Sequence, residues 1–442
     1  MYLRKFYPLL LVIVLIVLGM IVQYLPSVAA ESHIADTCET FLWEEVYRGY
    51  KGRPEDGFTD AVMLSISRSK PEDAGWKRFI SSPVYSYFDD KGEKENAEIW
   101  DRLYPVQTLC LPQEHFHAYY FRYWHGYQTI MRPLLSFTDY DGMRKINKYL
   151  QPFLFAVLIY LFCRRKAYGL ILGWLLSYLI LNPEAMPYSI AYSVIYYISV
   201  ISSIILLSCK EKIEQHIGWP IFFMMIGITT NYFDFLTYPI VSLAVPLTIL
   251  FYLEPAKNYD EMHKKLFVFG GCWVFGYAGM WILKWLLVYM FVDENIFRDV
   301  LNAINIRTEA RFLGNQYPFW ASITETFKQL CWQPDTVIVI VAVCLLSIMA
   351  VLYKIKPCIK FAQRYDYKLM SFILISLGIF AYCLIVQGHP LQHKYYTYRL
   401  WVAFFFPIIS MLNFWVLQAS KKRTVKRKAV AKQIVKKQGR RK

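Results

Sequence analysis

Apolar runs long enough to cross a bilayer recur along this chain, beginning with Leu9 to Val22, and nothing else constrains its fold as strongly. A helix needs roughly 20 such residues to traverse the hydrocarbon core. With 56% of 442 residues hydrophobic, 18% aromatic and only 19% charged, a water-soluble domain would carry more apolar surface than it could bury. The fold class read from this pattern is an all-α polytopic membrane protein. About ten transmembrane helices are predicted, with a large first extracytoplasmic loop carrying interfacial helices.

The formal charge of +16 resembles a nucleic-acid signature only until it is located. Residues 421–442 hold twelve Lys or Arg and no acid, leaving +4 for the rest of the chain. A basic run directly after an apolar span is a cytoplasmic anchor against anionic headgroups, so membrane lipids are expected partners and nucleic acid is not. At the other end, Arg4 and Lys5 before the first run put the N-terminus on the cytoplasmic side as well. That run extends nearly from Tyr7 to Leu25, longer than a signal-peptide core, and reads as an uncleaved anchor despite the small residues at Ser27-Val-Ala-Ala.

Spans are predicted near 7–27, 151–164, 167–181, 189–208, 217–231, 237–253, 266–292, 335–353, 368–386 and 399–418. The intervening inner loops, Cys163-Arg-Arg-Lys, Cys209-Lys-Glu-Lys, Glu254-Pro-Ala-Lys through Lys265 and Lys354 through Lys368, are basic or mixed. The first two outer loops, Asn182-Pro-Glu-Ala-Met-Pro-Tyr-Ser and Asn231-Tyr-Phe-Asp-Phe-Leu-Thr-Tyr-Pro, carry acid and no base, as the positive-inside rule requires. The chain therefore divides into a first anchor (1–30), an extracytoplasmic loop domain (31–150), a transmembrane bundle (151–292), a second long outer loop (293–334), C-terminal spans (335–420) and the basic tail (421–442).

Ionisable groups at a membrane edge are costly, so each is a functional candidate that must be weighed against a structural pairing. Asp60, in Gly57-Phe-Thr-Asp-Ala-Val-Met-Leu, is the leading candidate for a general base, with Asp36 second; the alternative for Asp60 is a helix cap. Phe121-Arg-Tyr-Trp-His-Gly-Tyr-Gln-Thr-Ile-Met-Arg-Pro combines Arg122, His125 and Arg132, which can hold a phosphate, with aromatic faces on which sugars stack. Asp234 lies in a hairpin too short for a soluble loop and needs a partner, which Arg132 or Arg399 can supply. His389, His393, Lys394 and Arg399 gather just before the last span, a cluster suited to neutralising a lipid phosphate as it leaves a sugar.

No cofactor is expected. Thr138-Asp-Tyr-Asp-Gly has a metal-compatible Asp-x-Asp spacing but reads more simply as a turn capping a helix. The nine cysteines include no C-x-x-C pair; Cys38 and Cys110 share the first outer segment and either form a disulfide or remain two thiols. The loop with Arg298, Arg307, Glu309 and Arg311 is either a mobile lid or acceptor-binding loop, or a surface-lying helix. A transporter would need ionisable residues inside its spans, where Lys284 is the main exception to an apolar interior.

In layout, residues 1 to 335 resemble the GT-C superfamily of membrane glycosyltransferases: one span, a large acidic first outer loop, short-looped spans, then a second long outer loop. The resemblance implies transfer of a sugar from a polyprenyl-phosphate donor to a glycan, lipid or protein acceptor of the cell envelope. It also implies an acidic base in the first outer loop, the position of Asp36 and Asp60, and basic groups at outer helix ends for the donor phosphate, the chemistry of Arg132, His389, Lys394 and Arg399. The alternatives are a polymerase or ligase of lipid-linked glycans and a transporter or flippase of the envelope.

Overall fold

A computed structural model describes residues 6–25, 57–68, 75–85, 116–254, 257–292, 296–312, 315–332, 334–354, 359 and 366–417. Asp36, Cys38, Cys110 and the basic tail lie outside them. The described chain is a helical bundle with two small antiparallel ribbons, β1 (Pro83–Tyr85) with β2 (Phe116–Tyr119) and β3 (Arg311–Phe312) with β4 (Asn315–Gln316). Before the bundle come α1 (Tyr7–Ile21), α2 (Gly57–Arg68), α3 (Gly75–Ser81) and α4 (Gln128–Leu135). Next follow α5 (Tyr140–Arg164), α6 (Gly169–Ile180), α7 (Ile190–Lys212), α8 (Trp219–Phe233), α9 (Ile240–Leu253) and α10 (Tyr259–Phe291). After the bundle lie α11 (Ile296–Thr308), α12 (Ala321–Cys331), α13 (Pro334–Tyr353), α14 (Asp366–Ser376), α15 (Gly378–Ile385), the short α16 (Gly388–Gln392) and a final helical run, α17 (Lys394–Leu417).

Seven helices among the described residues are long and apolar enough to cross a membrane: those at Tyr7–Tyr24, Tyr140–Arg164, Ile190–Ile217, Tyr259–Phe291, Asp335–Tyr353, Tyr367–Ile385 and Lys394–Leu417. The other three predicted spans correspond to α6, α8 and α9, which have 12, 15 and 14 residues, too short to cross a full hydrocarbon core unaided. The span expected to begin near 151 belongs to a helix that starts eleven residues earlier, because Asp139 caps it by accepting from the Gly142 amide at 2.6 Å. Asp141 pairs with Lys145 one turn on at 2.7 Å. Both carboxylates of the Asp-x-Asp thus serve the helix. Ser189 and Asn258 cap α7 and α10 in the same way.

Polar side chains join the spans internally, as they do where no water competes. Gln151 of α5 donates to Ser193 of α7 at 2.8 Å, and the Tyr196 hydroxyl donates to the Gln151 carbonyl at 2.6 Å. The closest helix crossing is between α8 and α10. A Cβ on Gly227 would stand 2.1 Å from the Trp273 carbonyl oxygen, and one on Gly276 2.3 Å from that of Met224, so the backbones touch only because both positions are glycine. Outward, α10 and α13 expose Phe267, Phe275, Ile282, Ile338, Leu345 and Leu352, an apolar coat suited to lipid.

Candidate functional site

The C-terminal ends of α1, α6, α8, α10 and α15 and the N-terminal ends of α5, α7, α9 and α17 meet at one end of the bundle. Most of the candidate residues lie here, and the structure divides them into residues bonded to distant helix ends and a second group around the hairpin between α8 and α9.

Asp60 is an anchor. It is 2% exposed; Oδ1 accepts from the Ala191 amide at 3.1 Å, and Oδ2 from the Ile190 amide at 3.2 Å and from the Tyr140 hydroxyl. The carboxylate therefore sits on the first turn of α7, where unpaired amides and the helix dipole favour an anion. Burial raises its pKa, opposed by the Tyr140 and Ala191 bonds. The helix-cap alternative describes this contact, although the helix capped is α7 and not α2.

Three cations are likewise committed to backbone carbonyls. Arg132 donates to Val22 and Ser67, each at 2.9 Å, and to Leu25 at 3.4 Å, tying together the ends of α1 and α2. Arg399 donates to Leu181 at 2.9 Å, just past α6, with its guanidinium 4.0 Å from the Tyr192 ring centre and 4.7 Å from that of Tyr398. Lys284, fully buried in α10, donates to Ile80 at 2.6 Å and Phe79 at 3.2 Å and closes the C-terminus of α3. Terminal helix carbonyls lack intrahelical donors, and a buried cation meets that need.

His125 is held in a left-handed turn (φ 54°) among Tyr120, Tyr123, Tyr127 and Phe235. Its Nε2 lies 2.6 Å from the Tyr120 carbonyl, which can only accept, so Nε2 carries the proton and Nδ1 accepts from the Tyr127 hydroxyl at 3.1 Å. Burial pushes its pKa down to about 3 and keeps the ring neutral. Arg122 pairs with Asp299 of α11 at 2.7 Å. Lys394 borders an open surface hollow of about 360 Å³ with Lys328 and Trp332.

The second group surrounds the hairpin between α8 and α9. Asp234 is buried and accepts from the Thr237 amide at 3.0 and 3.2 Å and from the Thr237 hydroxyl. The partner that this acid needs is therefore its own turn. Burial pushes its carboxyl up to about 7 against the opposing pull of the Thr237 bonds. Leu236 takes φ 66° in that turn, and its carbonyl accepts from His389 Nε2 at 2.6 Å. His389 Nδ1 is buried without a hydrogen-bond partner, and His393 lies beside it, ring centres 4.8 Å apart.

Three further members were not among the sequence's site candidates, although Arg307 belongs to the loop read there as a lid, an acceptor-binding loop or a surface helix. Arg307, on the last turn of α11, donates to the Tyr123 hydroxyl at 2.7 Å, while its Nε is buried and unpaired. Burial raises the Tyr123 pKa to about 12, so the hydroxyl stays protonated. Tyr277 of α10 and Tyr382 of α15 carry buried hydroxyls without partners, within electrostatic reach of both Asp234 and Arg307. Trp273, Tyr277, Trp281 and Trp285 form an aromatic stripe along α10, with Trp281 meeting Tyr123 at 6.3 Å between ring centres. Tyrosines inside apolar runs count as membrane filler in a sequence; only their unpaired hydroxyls distinguish them.

Buried polar atoms in folded proteins are almost all hydrogen-bonded. Here four belong to side chains tied to the Asp234 turn or to one another: the Tyr277 and Tyr382 phenols feel Asp234 and Arg307, the acceptor His389 Nδ1 belongs to the ring bonded to Leu236, and Arg307 Nε is the remaining donor. That set can hold a guest with several hydroxyls and one anionic group. No group of three or more metal-ligating side chains occurs among the described residues. Set against known protein families, curated proteins and solved structures, the chain matches none.

Proposed function

We propose that this protein is a membrane glycosyltransferase of the GT-C kind, moving a sugar from a polyprenyl-phosphate donor to an acceptor of the cell envelope. The observation that carries the reading is the set of unpartnered buried polar atoms on Tyr277, Tyr382, Arg307 and His389, beside the hairpin that joins α8 and α9. A lipid-linked sugar presents one phosphate for Arg307, hydroxyls for the phenols and histidine, and an apolar chain that stays in the bilayer. In this reading α6, α8 and α9 complete ten crossings by sitting inside the bundle, and both termini are cytoplasmic. Asp60, Arg132 and Arg399 build the frame; Asp234, His389, Arg307, Tyr277 and Tyr382 meet the substrate. A transporter is less well supported because Lys284, the charge inside a span, is committed to the end of α3.

The test is sugar transfer by the purified chain in lipid nanodiscs, using a panel of radiolabelled polyprenyl-phosphate sugars. The native chain is expected to consume at least one donor. Tyr277→Phe together with Tyr382→Phe, which removes only two hydroxyls, is expected to raise donor KM or lower kcat by about tenfold or more. Movement of a labelled solute or lipid across the bilayer with no donor consumed would replace this reading with transport.

A further inference from the structure

We infer that His389 Nδ1 takes the proton from the acceptor hydroxyl during glycosyl transfer, with the Asp234 turn and Gly388 acting to position it. The inference rests on the proposed reaction.

The geometry fixes both the tautomer and the aim of the ring. Leu236 offers a carbonyl oxygen, which cannot donate, so the 2.6 Å contact makes His389 Nε2 the protonated nitrogen, and in the neutral ring that burial favours Nδ1 keeps its lone pair. That carbonyl is itself held in place by the left-handed Leu236 and by the Asp234–Thr237 bonds of the same turn. On the other side, a Cβ at position 388 would stand 2.1 Å from the Ile306 carbonyl oxygen and 2.6 Å from that of Glu309, so the backbone before His389 is pressed onto the end of α11. The ring is 1% exposed and walled by His393 and Tyr396. A base held by a second group that is held by a third has the general logic of an oriented catalytic histidine.

The unpaired lone pair also selects its ligand. A phosphate oxygen and Nδ1 are both acceptors and cannot bond to each other, whereas a hydroxyl can donate to Nδ1. The phosphate therefore belongs with Arg307 and the acceptor hydroxyl with His389. In the step, the acceptor oxygen forms a bond to the anomeric carbon as the bond from that carbon to the phosphate oxygen breaks. The electron pair of the broken bond leaves with the lipid phosphate beside the Arg307 cation. The hydroxyl proton passes to Nδ1, giving an imidazolium that later returns it to water.

The experiment compares the native chain with His389→Ala and His389→Gln in nanodiscs, using the donor that the native chain consumes. Gln can still donate to the Leu236 carbonyl but supplies no base, so it guards against a loss that comes from misfolding. Both variants are expected to lose on the order of 10²–10⁴ in kcat with donor KM within about threefold. Added imidazole is expected to restore activity to the alanine variant in proportion to its concentration. A glutamine variant that keeps kcat within about threefold overturns the inference, and so does transfer abolished by Asp36→Asn but retained by His389→Gln. Absence of transfer by the native chain overturns the parent reading and this inference with it.

Discussion

The two ends of the bundle use charge in opposite ways. At the end opposite the site, Arg165 meets Glu211 at 3.1 Å, Lys210 meets Glu254, and Lys265 meets Glu261 at 2.9 Å, in partly exposed pairs at or near helix ends. At the site end, Arg132, Arg399 and Lys284 are buried and donate to carbonyls of helix ends far away in sequence. An exposed pair exchanges solvation for a screened contact and contributes little. A buried cation on helix-end carbonyls satisfies several groups at once, and its removal takes a donor from each. One end is therefore tolerant and the other is built to hold a fixed shape, as a site with preorganised polar atoms needs.

The largest expected effect of breaking this contrast is at Arg132. Arg132→Ala removes a donor from three carbonyls at the junction of α1, α2 and α4 and is expected to cost about 3 kcal/mol, a loss that thermal unfolding in detergent would register as a clear drop in Tm. An unchanged Tm would put Arg132 back among the substrate ligands. A smaller effect is expected from Asp234. Because its folded pKa, about 7, lies above the unfolded carboxylate value, the stabilisation linked to its proton is complete below about pH 4 and is lost as pH rises through 7. Melting curves between pH 5 and 8 should therefore show stability falling with pH, and Asp234→Asn should flatten that slope. The smallest effect belongs to the opposite end, where Glu211→Gln is expected to move Tm by no more than about 2 °C. A larger shift there would erase the contrast between the ends.

Much of the framework was legible because it depends on local pattern. Apolar runs marked the long helices, and the Asp139 turn was readable as a cap because a cap acts within three residues. The role of each buried charge was not legible in the same way. Arg132 and Val22 are 110 residues apart, and His389 and Leu236 are 153 apart, so whether a basic residue holds a phosphate or a carbonyl is decided by tertiary contact. Within the short list of sequence candidates, Asp234 and His389 fell into the cluster with uncommitted atoms while Asp60, Arg132 and Arg399 became anchors. Arg307 was visible only as one charge of an ambiguous loop, and Tyr277 and Tyr382 were hidden inside apolar runs.

The length of α10 bears on how any guest gets in. Its 33 residues measure about 50 Å, against a hydrocarbon core of about 30 Å. Measured from Lys265, the last charge before its apolar stretch, Tyr277 lies about 18 Å along the helix and Lys284 about 28 Å. The Tyr277 backbone thus lies about 10 Å before Lys284 along the helix, well within its apolar stretch. A polar headgroup arriving from water would have to descend through protein to that depth. One tethered to an isoprenoid chain would slide in sideways at the right level, with its tail still dissolved in the lipid it came from.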